Sequence, residues 1–297
     1  MTLVQDTPSL AEIIESAERL PPFPDVVWKV APLIRKMAPL HEIESVIKYD
    51  QVIAARVLAM SQSPLYARKR AVSSLQDAIV ALGDQQLLVV ILTACSARYF
   101  TEDATGYDLR SGELWDHAIA SGLMSEIVAR HLGYKNILTA YTAGLLHDIG
   151  KTVLNFHVKA YFESILTTVK EHNISFIEAE QRILGIDHEQ LGGLIAQRWR
   201  FPADVTTAIA NHHRPLEVDA HSDLASLVYV VNRMVSALGI GCGVDGFLQP
   251  NHDQVFVRLG ISTQLADKFL VELMDRYEHT RQFLQASYRL QDKEFGL

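Results

Sequence analysis

Apolar residues recur at helical spacing along almost the whole chain, and no stretch alternates with a period of two. That pattern excludes a sheet and sets the class as all-α, a multi-helix bundle. Ser9 with Glu12 forms a capping box ahead of Ile13, Ile14 and Ala17, and Pro21, Pro22 and Pro24 end that helix. After Pro24, the positions Val26, Val30, Leu33 and Met37 share one face, with Pro32 as a kink. Asp50 starts a helix carrying Val52, Ile53, Val57 and Met60, which stops before Ser63 and Pro64. Ser74 and Asp77 offer another capping box, Gly83 closes the helix they begin, and the next runs to about Tyr99. Beyond a polar stretch from Thr101 to Gly112, the spacing predicts helices over 113–132, 137–156, 158–172, 175–184, 188–199, 202–213, 222–238 and 262–290.

Composition narrows the function. With 27 Lys+Arg against 35 Asp+Glu, the net charge of −8 argues against a chain built to coat nucleic acid or anionic lipid. A helix-turn-helix reading of residues 74–99, with Arg68, Lys69 and Arg70 on phosphates, fails because the second helix is too apolar to present a recognition face. No direct DNA binding is expected. The apolar run Leu87 to Leu92 falls short of the roughly 20 residues that cross a bilayer, so it reads as a buried helix and no membrane contact is expected. The first twenty residues lack the pattern of a secretory signal, which points to the cytoplasm. Two cysteines, Cys95 and Cys242, are too few for a disulfide framework, whereas twelve histidines direct attention to imidazole chemistry. Trp28, Trp115 and Trp199 lie in helical apolar patterns and read as core.

The most informative segment is Ala143-Gly144-Leu145-Leu146-His147-Asp148-Ile149-Gly150-Lys151. Its adjacent His and Asp supply an imidazole nitrogen and a carboxylate that can bridge two cations. Lys151, four residues after His147 and three after Asp148, falls on the same helical side and can meet a bound anion. His117, His188, His212 and His213 bring the set to five histidines and one aspartate, a ligand set for one or two transition-metal ions. The other seven histidines need no special role. Gly239 to Gly246 could suggest a phosphate loop, but it follows a helix and reads as a terminator and flexible connector.

Taken together, Leu20-Pro21-Pro22-Phe23-Pro24, Ser74 through Gly83, Leu114-Trp115-Asp116-His117, Gly144 through Lys151, His188 through Gly192, Trp199-Arg200-Phe201-Pro202 and Ala208 through His213 resemble the HDOD proteins of the HD superfamily. These are related to the HD-GYP cyclic-di-GMP phosphodiesterases. The resemblance covers roughly residues 16–215, with a bundle over 16–110 and an HD-like part over 111–215. Residues 1–15 start the first helix and 216–297 form a C-terminal helical extension.

The resemblance implies an all-helical fold and a regulatory role in bacterial signalling, exercised through protein partners. It places His117, His147 and Asp148 in the HD metal motif, and His188, His212 and His213 with the extra ligands of the binuclear HD-GYP type. Two departures stand against turnover. Asn232 occupies the place of a later Asp ligand, and His213 is followed by Arg214-Pro215-Leu216-Glu217 in place of the substrate-defining HD-GYP segment. The expectation is a non-catalytic regulator that keeps a site for iron, manganese, nickel or zinc, with a nucleotide as a possible ligand. The alternative is a metal-dependent phosphohydrolase acting on a nucleotide or cyclic dinucleotide, using Asp148 and Lys151, with Asp116 a candidate acid. Self-association through Phe269, Leu273, Tyr277 and Phe283 is a further possibility.

Overall fold

The computed structural model describes residues 9–62, 72–100, 102–218, 222–247 and 253–295, excluding the side chains of Ser222, of Phe247 and of residues 282–295. The basic triplet Arg68 to Arg70, the Ser63-Pro64 stop and Thr101 lie outside the described residues. In chain order the helices are α1 (Leu10–Glu18), α2 (Asp25–Arg35), α3 (Leu40–Ile47), α4 (Gln51–Ser61), α5 (Leu75–Ser96), α6 (Glu113–His131), α7 (Ile137–Leu146) and α8 (Lys151–Ala160). They continue with α9 (Phe162–His172), α10 (Phe176–Leu184), α11 (His188–Arg198), α12 (Ala203–Ala210), α13 (Ser222–Ala237), α14 (Val244–Phe247), α15 (Asp253–Arg258) and α16 (Thr263–Phe295). Among the described residues the β structure is one isolated bridge, Ala104 to Leu109, so the fold is all-α.

The chain divides into two compact units: Met1–Pro22 with Tyr99–Leu270, and Phe23–Arg98 with Val271–Leu297. In the second unit α2 packs on α3 and α5, and α4 lies along α5. Its core is aliphatic, with Val30, Ile47, Val57, Leu87 and Ile91 all buried. Each such side chain stabilises the fold by about 1.5–3 kcal/mol relative to exposure. By length and composition α5 could cross a membrane, but its helical geometry breaks at Gly83 (φ 71°, ψ 172°). The uninterrupted part, residues 84–96, spans only about 20 Å, against roughly 30 Å of bilayer hydrocarbon. Its residues Leu87, Leu88 and Val90 to Ser96 are instead buried in the protein.

In the first unit α6 is buried on nearly every side, from Leu114 to Ala129 apart from Asp116. It runs against α7 and α13, while α12 packs on α7, α11 and α13. The proline-rich segment after α1 is tied to α11 and its C-terminal end. Trp199 Nε1 donates to Pro21 O at 3.1 Å, Tyr99 Oη to Pro22 O at 2.9 Å, and Arg198 to Ala17 O at 2.8 Å.

Three helix expectations need correction. The helix expected over 137–156 is two helices, because residues 147–150 form a turn. A Cβ on Gly150 would lie 2.0 Å from His188 O and 2.8 Å from Gly192 N, so the turn presses directly on α11. Apolar periodicity did not reveal the break, since Leu145 and Leu146 before it, Ile149 within it and Val153 and Leu154 after it are all buried. The helix expected over 202–213 ends at Ala210, leaving His212 and His213 beyond it, and the one expected from 158 starts at Phe162. Of the residues considered for self-association, Phe269, Leu273 and Tyr277 are buried and present no free face. The side chain of Phe283 lies outside the described residues.

Candidate metal centre

Five chain segments of the first unit converge on Asp148. His117 lies one turn into α6. His147 and Asp148 occupy the turn after α7, and Lys151 opens α8. His188 is the first residue of α11, placed there because the Asp187 side chain caps that helix by accepting from Gln190 N at 2.8 Å. His212 and His213 follow the end of α12. All seven side chains are at most 4% exposed.

The Asp148 carboxylate divides the histidines into two groups. Oδ2 lies 3.4 Å from His147 Nε2 and 3.8 Å from His117 Nε2. Oδ1 lies 3.5 Å from His212 Nε2 and 3.7 Å from His188 Nε2, and His188 Nε2 is 3.1 Å from His213 Nε2. His117, His147 and Asp148 therefore form one cluster of metal-ligating atoms, and His188, His212 and His213 another. Metal–nitrogen bonds of about 2.0–2.1 Å in a tetrahedron separate neighbouring ligand atoms by roughly 3.3 Å, which these spacings approach.

Four of the rings are held by their far nitrogen. His117 Nδ1 donates to Ile240 O at 2.8 Å, His147 Nδ1 to Gly144 O at 2.8 Å and His212 Nδ1 to Ile209 O at 2.9 Å. His188 Nδ1 donates to Glu180 Oε2 at 2.8 Å. A proton held at Nδ1 puts any ligating lone pair on Nε2, the form that His188 reaches once its second proton is displaced, and all four Nε2 atoms face Asp148. Glu180 also accepts from the Tyr107 hydroxyl at 2.7 Å. Glu189 accepts from His213 N and, with Asp187, holds Arg214.

Titration fits the same picture. Burial, only partly opposed by Asp148, pushes His117 below the usual imidazole range and His147 and His213 well below it. Burial also disfavours a charge on His188, but the Glu180 carboxylate overrides it and raises the ring to about 9. Burial works against the charge on Asp148, yet His147 and Lys151 hold it well below the usual carboxylate range. Asp148, Glu180, Asp187, Glu189 and Asp245 are all buried, against three cationic side chains, Lys151, Arg214 and the raised His188. Among the described residues His147 Nε2, Asp148 Oδ1 and His212 Nε2 make no hydrogen bond. Inward lone pairs without partners and an excess of buried negative charge are what a divalent cation satisfies, so the residues present fit a metal.

Sequence reasoning did not find Asp245, Glu180, Glu189, Arg214 or Tyr107 as parts of this centre. Gly239 does terminate α13, which ends at Ala237, but the segment from Gly241 to Asp245, expected to be a flexible connector, packs against the site. A Cβ on Gly241 (φ 53°) would lie 2.1 Å from Glu113 O and 2.8 Å from His117 Cβ, and Asp245 reaches Lys151 at 2.6 Å. Asp116 is half-buried on the flank of α6, and Asn232 Oδ1 is 3.1 Å from His117 Nε2.

The HDOD domain model matches residues 20–215, two thirds of the chain and all six candidate ligands. The chain belongs to the HDOD family. Among solved structures, it is similar to an HDOD domain protein of unknown function from Geobacter sulfurreducens. That match has 26% identity and a TM-score of 0.69, covering 94% of this chain and 98% of the other. The fold is shared with a Marinobacter aquaeolei VT8 protein provisionally assigned to signal transduction, at 22% identity and TM-score 0.69, covering 95% and 66%. It is also shared with a Shewanella amazonensis SB2B protein provisionally assigned as a metal-dependent phosphohydrolase, at 18% identity and TM-score 0.60, covering 94% and 97%. The HDOD chain spans about half the length of the curated relative it matches, 52%.

Proposed function

We propose that this HDOD chain is a regulatory module of cytoplasmic bacterial signalling. It binds a divalent transition metal at the Asp148 centre and passes that state to a protein partner without turning over a substrate. The observation that carries this reading is closure. Every candidate ligand is at most 2% exposed, so a phosphoester has no path to Asp148 unless the helices part. Asn232 in place of a carboxylate supports the same reading, since a neutral amide is a weak ligand for a hard or borderline cation. Mixed imidazole and carboxylate ligation suits iron, manganese, nickel or zinc. Signalling neighbours of the same fold agree with the role.

A second reading, metal-dependent phosphoester hydrolysis, is favoured by the two Asp148 oxygens facing two histidine groups. A bound metal would supply an acidified water. The chain would orient it with Asp148, and Lys151 would hold the phosphate charge. Elemental analysis of protein purified without chelator, beside His188→Ala and Asp148→Ala, tests the centre: metal in the wild type and its loss in both variants is expected. Metal-free wild type would sink both readings. Hydrolysis of nucleotides or phosphodiesters that disappears in Asp148→Ala would overturn the regulator in favour of the enzyme.

A further inference from the structure

The two histidine groups around Asp148 look alike in composition but differ in what already occupies them. On the His117–His147 side, Lys151 Nζ lies 2.8 Å from Asp148 Oδ2 and 2.6 Å from Asp245 Oδ2, a buried cation between two buried carboxylates. The ammonium also stands over the Tyr107 ring, 5.3 Å from its centroid. His117 Nε2, the inward atom of that ring, faces Asn232 Oδ1 at 3.1 Å, an acceptor that gives its lone pair no bond. On this side the Asp148 Oδ2 ligand atom is therefore already held by a cation.

Among the described residues the opposite side has no lysine or arginine between its ligand atoms. Asp148 Oδ1 and His212 Nε2 make no hydrogen bond among the described residues. With the Nδ1 proton of His188 held by Glu180, it is the Nε2 proton that an incoming metal displaces, and that atom lies 3.1 Å from His213 Nε2. Placing a second divalent ion on the Lys151 side would put like charges within about 4 Å in a dry interior, where water screens their repulsion poorly.

We infer that the centre takes one metal ion, on His188, His212, His213 and Asp148 Oδ1, and that the Lys151 ammonium, tethered by Asp245, is the resident cation of the other half. Asp245 is thus a positioning residue lying outside the matched residues 20–215. The Gly241 close approach that packs this segment on α6 helps hold it in place. This inference rests on the metal-binding reading above.

Calorimetric titration of chelator-stripped, full-length protein with Zn2+ tests it. The wild type is expected to bind one equivalent. His188→Gln and His212→Gln should weaken that ion at least 100-fold, and His117→Gln less than about threefold. Lys151→Met should admit a second equivalent, and Asp245→Asn should leave the count at one. Urea midpoints identify any variant that fails to fold, and the His117→Gln against His188→Gln comparison then decides. Two equivalents of similar affinity in the wild type, a single ion lost with His117 but kept without His188, or a folded Lys151→Met that stays at one would each overturn the inference while leaving metal binding intact. No binding to the wild type would overturn the metal reading and this inference with it.

Discussion

Helix α6 and the part of α5 from Leu87 onward bury nearly all of their surface in their respective units, yet they do so with different chemistry. From Leu87 onward α5 buries aliphatic side chains. Its two buried hydroxyls, Thr93 and Ser96, donate to Val89 O and Leu92 O one turn back, so its polar atoms are satisfied within the helix. Its one thiol, Cys95, is pushed up to about 12 by burial with a contribution from Asp50, and is inert. Helix α6 buries His117, Ser121, Ser125 and Glu126, and His117 reaches outside its helix to Ile240, Asn232 and Asp148. The same degree of burial supports cohesion in one unit and a polar centre in the other. Burial alone therefore says little about role, and what matters is where the buried polar atoms find partners.

Substitution should separate the two. Leu87→Ala, at a fully buried aliphatic site, should cost about 2–5 kcal/mol of stability and leave metal affinity unchanged, read from urea midpoints and metal titration. Asp148→Asn keeps the shape and removes the charge facing both histidine groups. It should lower metal affinity by more than the roughly 10- to 100-fold typical of outer partners. If Leu87→Ala abolished metal binding while the protein remained folded, the contrast between the regions would fail.

A smaller effect is expected from pH on the metal-free protein. His117, His147 and His213 have folded pKa values below the ordinary imidazole value of 6.5. The stability they contribute is present above 6.5 and is lost as pH falls through the lowered values. His188 behaves in the opposite sense: raised to about 9, its contribution is complete below 6.5 and is lost as pH rises towards 9. Urea midpoints in chelator should fall steeply on acidification below 6.5 and more gently between 6.5 and 9, with the gentle slope absent in His188→Gln. A flat profile across the acid range would mean that the three histidines are not buried neutral.

Much of the fold could be read from the sequence because helix signals are local. The Ser9–Glu12 box closes as expected, Ser175 and Glu178 form another, and Asp50 caps α4. At Ser74 only half the box forms, since Asp77 turns to Ser73 instead. The six ligand candidates were legible through paired residue types such as His147-Asp148 and His212-His213. Their supports were not, because Glu180 and Asp245 reach the centre across 32 and 97 residues of chain from Asp148, a relation that only packing defines. Gly241 to Asp245 misled for a similar reason: glycine signals a permissive backbone equally in a free connector and in a segment pressed against a helix.

The most direct measurement is anomalous diffraction from crystals of metal-loaded protein, collected at the metal edge. The expected result is one peak bounded by His188, His212, His213 and Asp148, with Lys151 still between Asp148 and Asp245. Loaded crystals with no anomalous density at Asp148, or with metal only on surface side chains, would contradict the buried metal centre.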